Sequence, residues 1–484
     1  MEHPALRPIL FAAALVALPL WPLAAAATSK AAKAAPAAKP APAKVRSTTA
    51  AAAKPAKAAP FQAFPFPTEV KTLKNGLRVA LVPYDSPGLV AYYTLMRVGS
   101  RNEAEKGRSG YAHFFEHMMF RGTKAHSGEE YNQTVTRLGL NTNAFTDFDM
   151  TVYHLYGPAR SLPVIIEYEA DRFQNLDYSE EQFRTEAGAI LGEYAKSASA
   201  PETLLFEKMQ ETAYDKHTYR HTVIGYLTDV KEMPNGFGYA REFFERYYTP
   251  DNATIVIVGD FDKVKTLELI EKHYGGWKGK MKPAPIPAEP PQKKAKRGNV
   301  DWPSPTLPRV WVAWHVPGAS DIKATATAQV LSAYLFGPTS PLFQDLLLGR
   351  QLVDSLDSTG SVQRDPTLFG VLAKVKKEED VAAVEKAILV AAQELAKSRI
   401  DAARLKDVVS NAKYSAALQL DKADAVAVTL AVNAAYSGDL QYLNKLYAQL
   451  EKLTAADLSA FTKRWLLEQN RTTVTLSTKK EVAK

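Results

Sequence analysis

Apolar positions along the first half of the chain come in short dense blocks whose spacing changes from one block to the next. In "TEVKTLKNGLRVALVPYDSPGLVAYYTLMRVGS" (residues 68–100) they are crowded, β-branched or aromatic, and punctuated by "KNG" and "DSPG". That pattern predicts two strands joined by a turn. Helical spacing follows over about 110–120, and "NTNAFTDFDMTVYHLY" (141–156) predicts a further strand. From about Pro158 to Tyr214 the pattern is that of a long helical region with alternating charge, and "ATIVIVGDF" (253–261) reads as a buried strand running into a turn. The stretch "KGKMKPAPIPAEPPQKKAKRG" (278–298) is Pro- and Lys-rich without periodicity, as an interdomain linker is.

Beyond that stretch the layout partly repeats. "RVWVAWHVPGASDIKATATAQVLSAYLFG" (309–337) follows the order of "LVAYYTLMRVGSRNEAEKGRSGYAHFFEHMMFRG" (89–122): an apolar strand, a polar turn, then a helix with aromatics. The expected organisation is therefore α+β, with two similar domains at 61–277 and 299–484. The first carries the chemistry and the second does not. The late helices "VAAVEKAILVAAQELAKSRI" and "AADLSAFTKRWL" have ordinary 3.6-period faces and read as packing.

Length and composition agree with two cores, since 484 residues exceed one ordinary core and 46% hydrophobic content supplies two. The first sixty residues are a different material. "RPILFAAALVALPLWPLAAAA" has an arginine, an apolar run and small residues at its end, which predicts a secretory signal over 1–27. A retained membrane anchor is the alternative, but Pro19 and Pro22 interrupt the run, and with no cysteine in the chain a lipid-modified cysteine is excluded. No stable membrane anchor is expected. Export to the periplasm is expected; the mitochondrial matrix is the rival location, because transit peptides are also basic and poor in acids. Residues 28–60 are Ala, Pro and Lys with little to bury, and predict an extended or disordered linker. Residues 1–60 also hold eight Lys and Arg against one Glu, seven of the eight net positive charges of the chain. The basic balance belongs to the tail, so no nucleic-acid-binding face is expected.

One cluster in the predicted helix is unusual. "YAHFFEHMMFRGT" (111–123) places His113 and His117 four residues apart with Glu116 just before the second. On a helix such residues lie one above the other, with Cβ atoms about 5–6 Å apart, so both imidazoles can reach one ion and the carboxylate can point the same way. The alternative is two histidines satisfied at the edge of a core. A catalytic zinc needs a third protein ligand and an open position. "FRTEAGAILGEYAKS" offers Glu186 and Glu193, seven residues apart and so on one face of a helix. Spacing alone leaves open which of them is a ligand, or whether either is more than a solvated charge.

The H-x-x-E-H cluster, with Glu193 following His117 by 76 residues and Glu186 seven residues before it, resembles the pitrilysin/insulinase family of zinc metallopeptidases. "LKNGLRVALVPYDSPGLVAYYTLMRVGSRNE", "LGLNTNAFTDFDMTVYHLY", "YYTPDNATIVIVGDFD" and "SPLFQDLLLGR" keep the family's order and spacing, so the likeness covers nearly all of 65–475. The resemblance implies two homologous α+β domains, each a mostly antiparallel sheet covered by helices, enclosing half of a peptidase chamber. It implies one Zn2+ per chain on His113, His117 and Glu193, with Glu116 as general base and Glu186 as a carboxylate that orients a ligand. It further implies that backbone groups near Asn143, Ala144 and Phe145 receive a flexible or unfolded peptide as an added β-strand; the alternative is an ordinary strand whose polar residues face water. A non-catalytic scaffold or assembly subunit is the rival function, since the family includes members that lost the metal.

In one place the chain departs from the family pattern. Active members carry an Arg and a Tyr seven residues apart after the "S-x-L-F" stretch of the inactive half, and the matching positions here are Leu347 and Asp354. Leucine has no donor, and a carboxylate would repel a developing oxyanion. Arg350 is offset along the helix and is not expected to substitute. The expectation is an obligate heterodimer with a homologous partner subunit that supplies the Arg and Tyr. A homodimer that works poorly, or a register shift that uses Arg350, are the alternatives. His217 and His221 share the i, i+4 spacing but have no glutamate between them, and read as structural or chamber-lining.

Overall fold

Strand formation in the first half follows β-branched and aromatic runs bounded by glycine turns, and among the described residues it produces six strands, more than the sequence pattern predicts. The computed structural model describes residues 61–479 apart from 361, 398 and 399, so the expected signal and the linker at 28–60 lie outside the described residues. The strands are β1 (Glu69–Thr72), β2 (Arg78–Pro83), β3 (Leu89–Met96), β4 (Asn141–Thr146), β5 (Thr151–Pro158) and β6 (Ala253–Gly259). Residues 68–100 thus hold three strands, not two. All four residues of β1 are exposed, so it has no apolar pattern to announce it. The 141–156 segment is likewise a hairpin of β4 and β5 and not one strand, because the chain reverses between Thr146 and Thr151 without Gly or Pro.

The sheet order is β1-β2-β6-β3-β5-β4, with β2 parallel to β6 and the other pairs antiparallel. In the second half β7 (Lys296–Trp302), β8 (Arg309–Val316), β9 (Val353–Ser358), β10 (Thr367–Val375) and β11 (Arg471–Thr478) take the order β7-β11-β8-β10-β9, again with one parallel pair, β7 with β11. Apart from the extra β1, the two sheets have the same order and the same parallel pair. The repeat seen in the sequence is therefore a repeat of topology. Residues 296–298, expected in the linker, instead begin β7, where the parallel partner β11 satisfies their backbone.

Helices cover both sheets. Those of the first half used below are α1 (Tyr111–Met118), α2 (Gly128–Arg137), α3 (Leu162–Asn175), α4 (Glu180–Ser197) and α5 (Pro201–Ala213). The long helical region is thus three helices: α4 restarts on Ser179, whose side chain accepts from Gln182 N in a capping box, and α5 restarts on Pro201. Alternate residues of β3 serve two cores. Val90, Tyr92 and Met96 pack with the helices of the first half, while Ala91, Tyr93 and Leu95 join a core that continues into the second half. The helix Ala423–Ser437, buried nearly all round, lies against that second face. Polar contacts reinforce the junction: Tyr93 donates to Asp424 at 2.6 Å, and Arg101 Nε donates to Asp365 at 2.5 Å. No helix among the described residues is long and apolar enough to cross a membrane.

Candidate active site

α1 is short, and its ends are fixed from outside. Gly110 begins it at φ 94°, a left-handed conformation in which an added Cβ would lie 2.6 Å from the carbonyl oxygen of Ile224, so the position is restricted to glycine. No side chain of its own caps the helix. Instead the buried Glu103 carboxylate accepts from Gly110 N and Ala112 N, each at 2.7 Å. Burial pushes Glu103 up to about 8, against the pull of those backbone donors. Tyr111, Phe114, Phe115 and Met118 face the core, which turns His113, Glu116 and His117 toward α4 and the end of β4.

α4 presents the opposing side chains. Phe183, Ala187 and Ile190 anchor it, and Glu186 and Glu193 lie two turns apart on an adjacent stripe. The two carboxylates meet the histidines differently. Glu193 Oε2 stands 3.5 Å from His117 Nε2 and 3.7 Å from His113 Nε2. Glu186 Oε1 is 2.7 Å from His117 Nδ1, and its other oxygen accepts from Arg121 Nε at 2.6 Å. Both Glu186 oxygens are therefore engaged away from the space between the imidazoles.

Among the described residues, His113, His117 and Glu193 form the one group of three or more such side chains able to hold a metal ion, with their donor atoms within 4.8 Å of one another. Four tetrahedral ligands at about 2.0–2.1 Å from zinc are separated by about 3.3–3.4 Å, close to the two Glu193 distances. Two imidazoles and a carboxylate are also the donor set of a catalytic zinc with an open position. The residues fit the ion.

Electrostatics distinguish the two rings. Burial holds His113 below its ordinary range despite the surrounding carboxylates, and its buried Nδ1 has no hydrogen-bond partner among the described residues. For His117 burial acts in the same direction, but hydrogen bonds with Glu186 and Glu193 outweigh it and raise the ring to about 9 in the metal-free protein. Burial opposes ionisation of Glu186 and Glu193 as well. Contacts with His117, and for Glu186 with Arg121, reverse that and hold both carboxyls low.

Glu116 lies on the same face of α1, where its Oε2 accepts from the Thr146 hydroxyl at 2.6 Å. Thr146 is the last residue of β4, and among the described residues β4 has a neighbouring strand on one side only. Asn143 is exposed on that edge, Ala144 is buried toward the helices, and Phe145 packs partly against the other core. The edge strand, the carboxylate and the metal-binding group thus meet at one place. His217 and His221 do not join them: His217 Nε2 is 2.9 Å from Asp365, tying the two halves, and His221 is buried beside Thr222. In the second half Leu347 lies in a π-helical turn (Gln344–Gly349), Asp354 pairs with Lys374 at 3.3 Å, and Arg350 is engaged by Asp345, with Nε 2.9 Å from Oδ1.

Sequence reasoning missed Thr146, Arg121 and Glu103. Arg121 carries a signal, since it follows His117 by the same four residues that separate the histidines. Thr146 and Glu103 act from other elements and carry none.

The chain matches two family models, "Insulinase (Peptidase family M16)" over residues 84–226 and "Peptidase M16 inactive domain" over 239–411. It is 30% identical over 414 residues to the zinc protease PqqE of Helicobacter pylori, covering 84% of this chain and 92% of that one. It is 32% identical over 228 residues to the beta subunit of the mitochondrial-processing peptidase of Mus musculus, covering 47% of this chain and 45% of that one. Among solved structures, a protease from Helicobacter pylori superposes with a TM-score of 0.80 at 29% identity, over 85% of this chain and 99% of that one.

Proposed function

This chain belongs to the insulinase family of peptidases, family M16, and on that premise we propose that it is a zinc-dependent endopeptidase that hydrolyses flexible or unfolded peptides, with His113, His117 and Glu193 as ligands and Glu116 as general base. The observation that carries the reading is the convergence of His113 Nε2, His117 Nε2 and Glu193 Oε2, with Glu116 beside them and Glu186 turned away onto Nδ1. A zinc ion held there would polarise a peptide carbonyl and lower the pKa of a water toward about 7.

The protein's own groups do the rest. Glu186 fixes the Nδ1 side of His117, which leaves Nε2 free to face the ion. Thr146 occupies one oxygen of Glu116, which leaves the other to take the proton of the attacking water and return it to the leaving amine. The open edge of β4 supplies backbone donors and acceptors around Asn143, Ala144 and Phe145 to which an extended peptide adds as a further strand, beside the base that Thr146 holds. Recognition through the backbone selects flexible chains over folded ones.

Leu347 and Asp354 stand where an active member would carry Arg and Tyr, and Arg350 is held by Asp345. A homologous partner subunit that closes the chamber and brings those two groups accounts for the departure. The Arg7-led apolar run ending in alanines supports export to the periplasm. Glu116→Gln tests the assignment of the base: the variant is expected to retain one zinc per chain and lose peptide hydrolysis, and wild-type turnover from it would refute the role given to Glu116.

A further inference from the structure

The end of α1 is built to return one side chain to the site. Phe120 N and Arg121 N close tight turns onto the carbonyls of His117 and Met118, at 3.1 and 2.9 Å. Gly122 then turns the chain away at φ 100°, where an added Cβ would lie 2.5 Å from Gly128 N. Between these constraints Arg121 reaches back to α4, its Nε 2.6 Å from Glu186 Oε2 and a terminal nitrogen on the same oxygen. The other oxygen of Glu186 is the one against His117 Nδ1. The carboxylate is 2% exposed, whereas the Arg121 side chain is 49% exposed.

We propose that Arg121 is a positioning residue for the metal, clamping Glu186 so that His117 holds its Nε2 at the ligand position. The inference rests on the metal reading above and deepens it. A surface ion pair would contribute almost nothing, but this pair is not of that kind, because one partner is buried and in contact with a ligand. Without Arg121 the Oε2 atom loses its donor, the carboxylate can rotate about its last bond, and the 2.7 Å contact to Nδ1 is no longer enforced. Groups that orient a ligand typically change metal affinity by about 10- to 100-fold when removed. Arg121, acting through Glu186, belongs at the lower end of that range.

The test is zinc affinity, measured by competition with a chromophoric chelator on the metal-free full chain, which requires neither turnover nor a partner. Arg121→Met is expected to weaken zinc about tenfold, Arg121→Lys to recover part of the loss, and Arg121→Met added to Glu186→Gln to cost nothing further. Wild-type affinity in Arg121→Met, or the same loss with and without Glu186, would overturn this inference alone. A wild-type chain that takes up no zinc would overturn the metal reading and this inference with it.

Discussion

In the metal-free protein, raising the pH should remove a defined part of the folding stability through His117. Burial would lower this ring, but its hydrogen bonds with Glu186 and Glu193 raise it from 6.5 to about 9. The folded value lies above the unfolded one, so the stabilisation is fully present below pH 6.5 and is lost as pH rises through about 9. A difference of two to three units corresponds to roughly 3 kcal/mol. The ring is 26% exposed, so solvent screening trims this figure only modestly. His113, shifted the other way by burial, stays neutral over this range and does not contribute. Bound zinc takes the place of the His117 proton, so the loaded protein should lack the effect, and apparent zinc affinity should rise about tenfold per pH unit toward 9. The assay is urea unfolding of wild type and His117→Gln in the presence of a chelator, from pH 7 to 10. Comparing the two proteins cancels the shared titrating groups that do not contact His117. The wild-type advantage should shrink by roughly 3 kcal/mol across the range, and parallel pH profiles would refute the reasoning.

Thr146→Val keeps the strand-forming shape but removes the donor to Glu116; hydrogen bonds to charged groups contribute about 1.5–3 kcal/mol, so kcat should fall at least tenfold with zinc content unchanged, and Thr146→Ser should restore most of it. Arg172 and Glu169 form a fully buried pair at 2.7 Å, with the guanidinium over the rings of Phe120, Tyr131, Tyr153 and Phe173. Arg172→Met leaves a buried carboxylate without its partner and should cost about 3–5 kcal/mol by denaturant unfolding, more than when Glu169→Gln is added. The chain purified alone should bind zinc yet hydrolyse unstructured peptides slowly, and a homologous partner should restore the rate; full activity of the isolated chain, unchanged by Arg350→Ala, would count against both the partner and the register shift.

The site was legible where its chemistry lies on one helix. His113, Glu116 and His117 share a face by spacing, and so do Glu186 and Glu193. Which glutamate stands nearer the two Nε2 atoms is not legible from spacing, because a seven-residue repeat puts both on one stripe; the contacts of Glu186 with His117 Nδ1 and Arg121 distinguish them. Thr146 and Glu103 reach α1 from β4 and from the loop after β3, and no local pattern connects residues brought together only by tertiary packing. The second sheet was legible as a repeat since its apolar strand and aromatic helix recur in order. The hairpin of β4 and β5 has the pattern of one strand because "TDFDM" lacks the usual turn residues, and β1 carries no signal because an exposed edge strand needs no apolar alternation.

One zinc ion is expected among His113, His117 and Glu193. Anomalous diffraction at the zinc edge, from crystals of the zinc-loaded chain, measures this directly. A single strong peak per chain is expected, about 2.0–2.2 Å from His113 Nε2, His117 Nε2 and a Glu193 oxygen, with Glu186 still on His117 Nδ1. A peak coordinated by Glu186 in place of Glu193, or no peak between the two histidines, would contradict it.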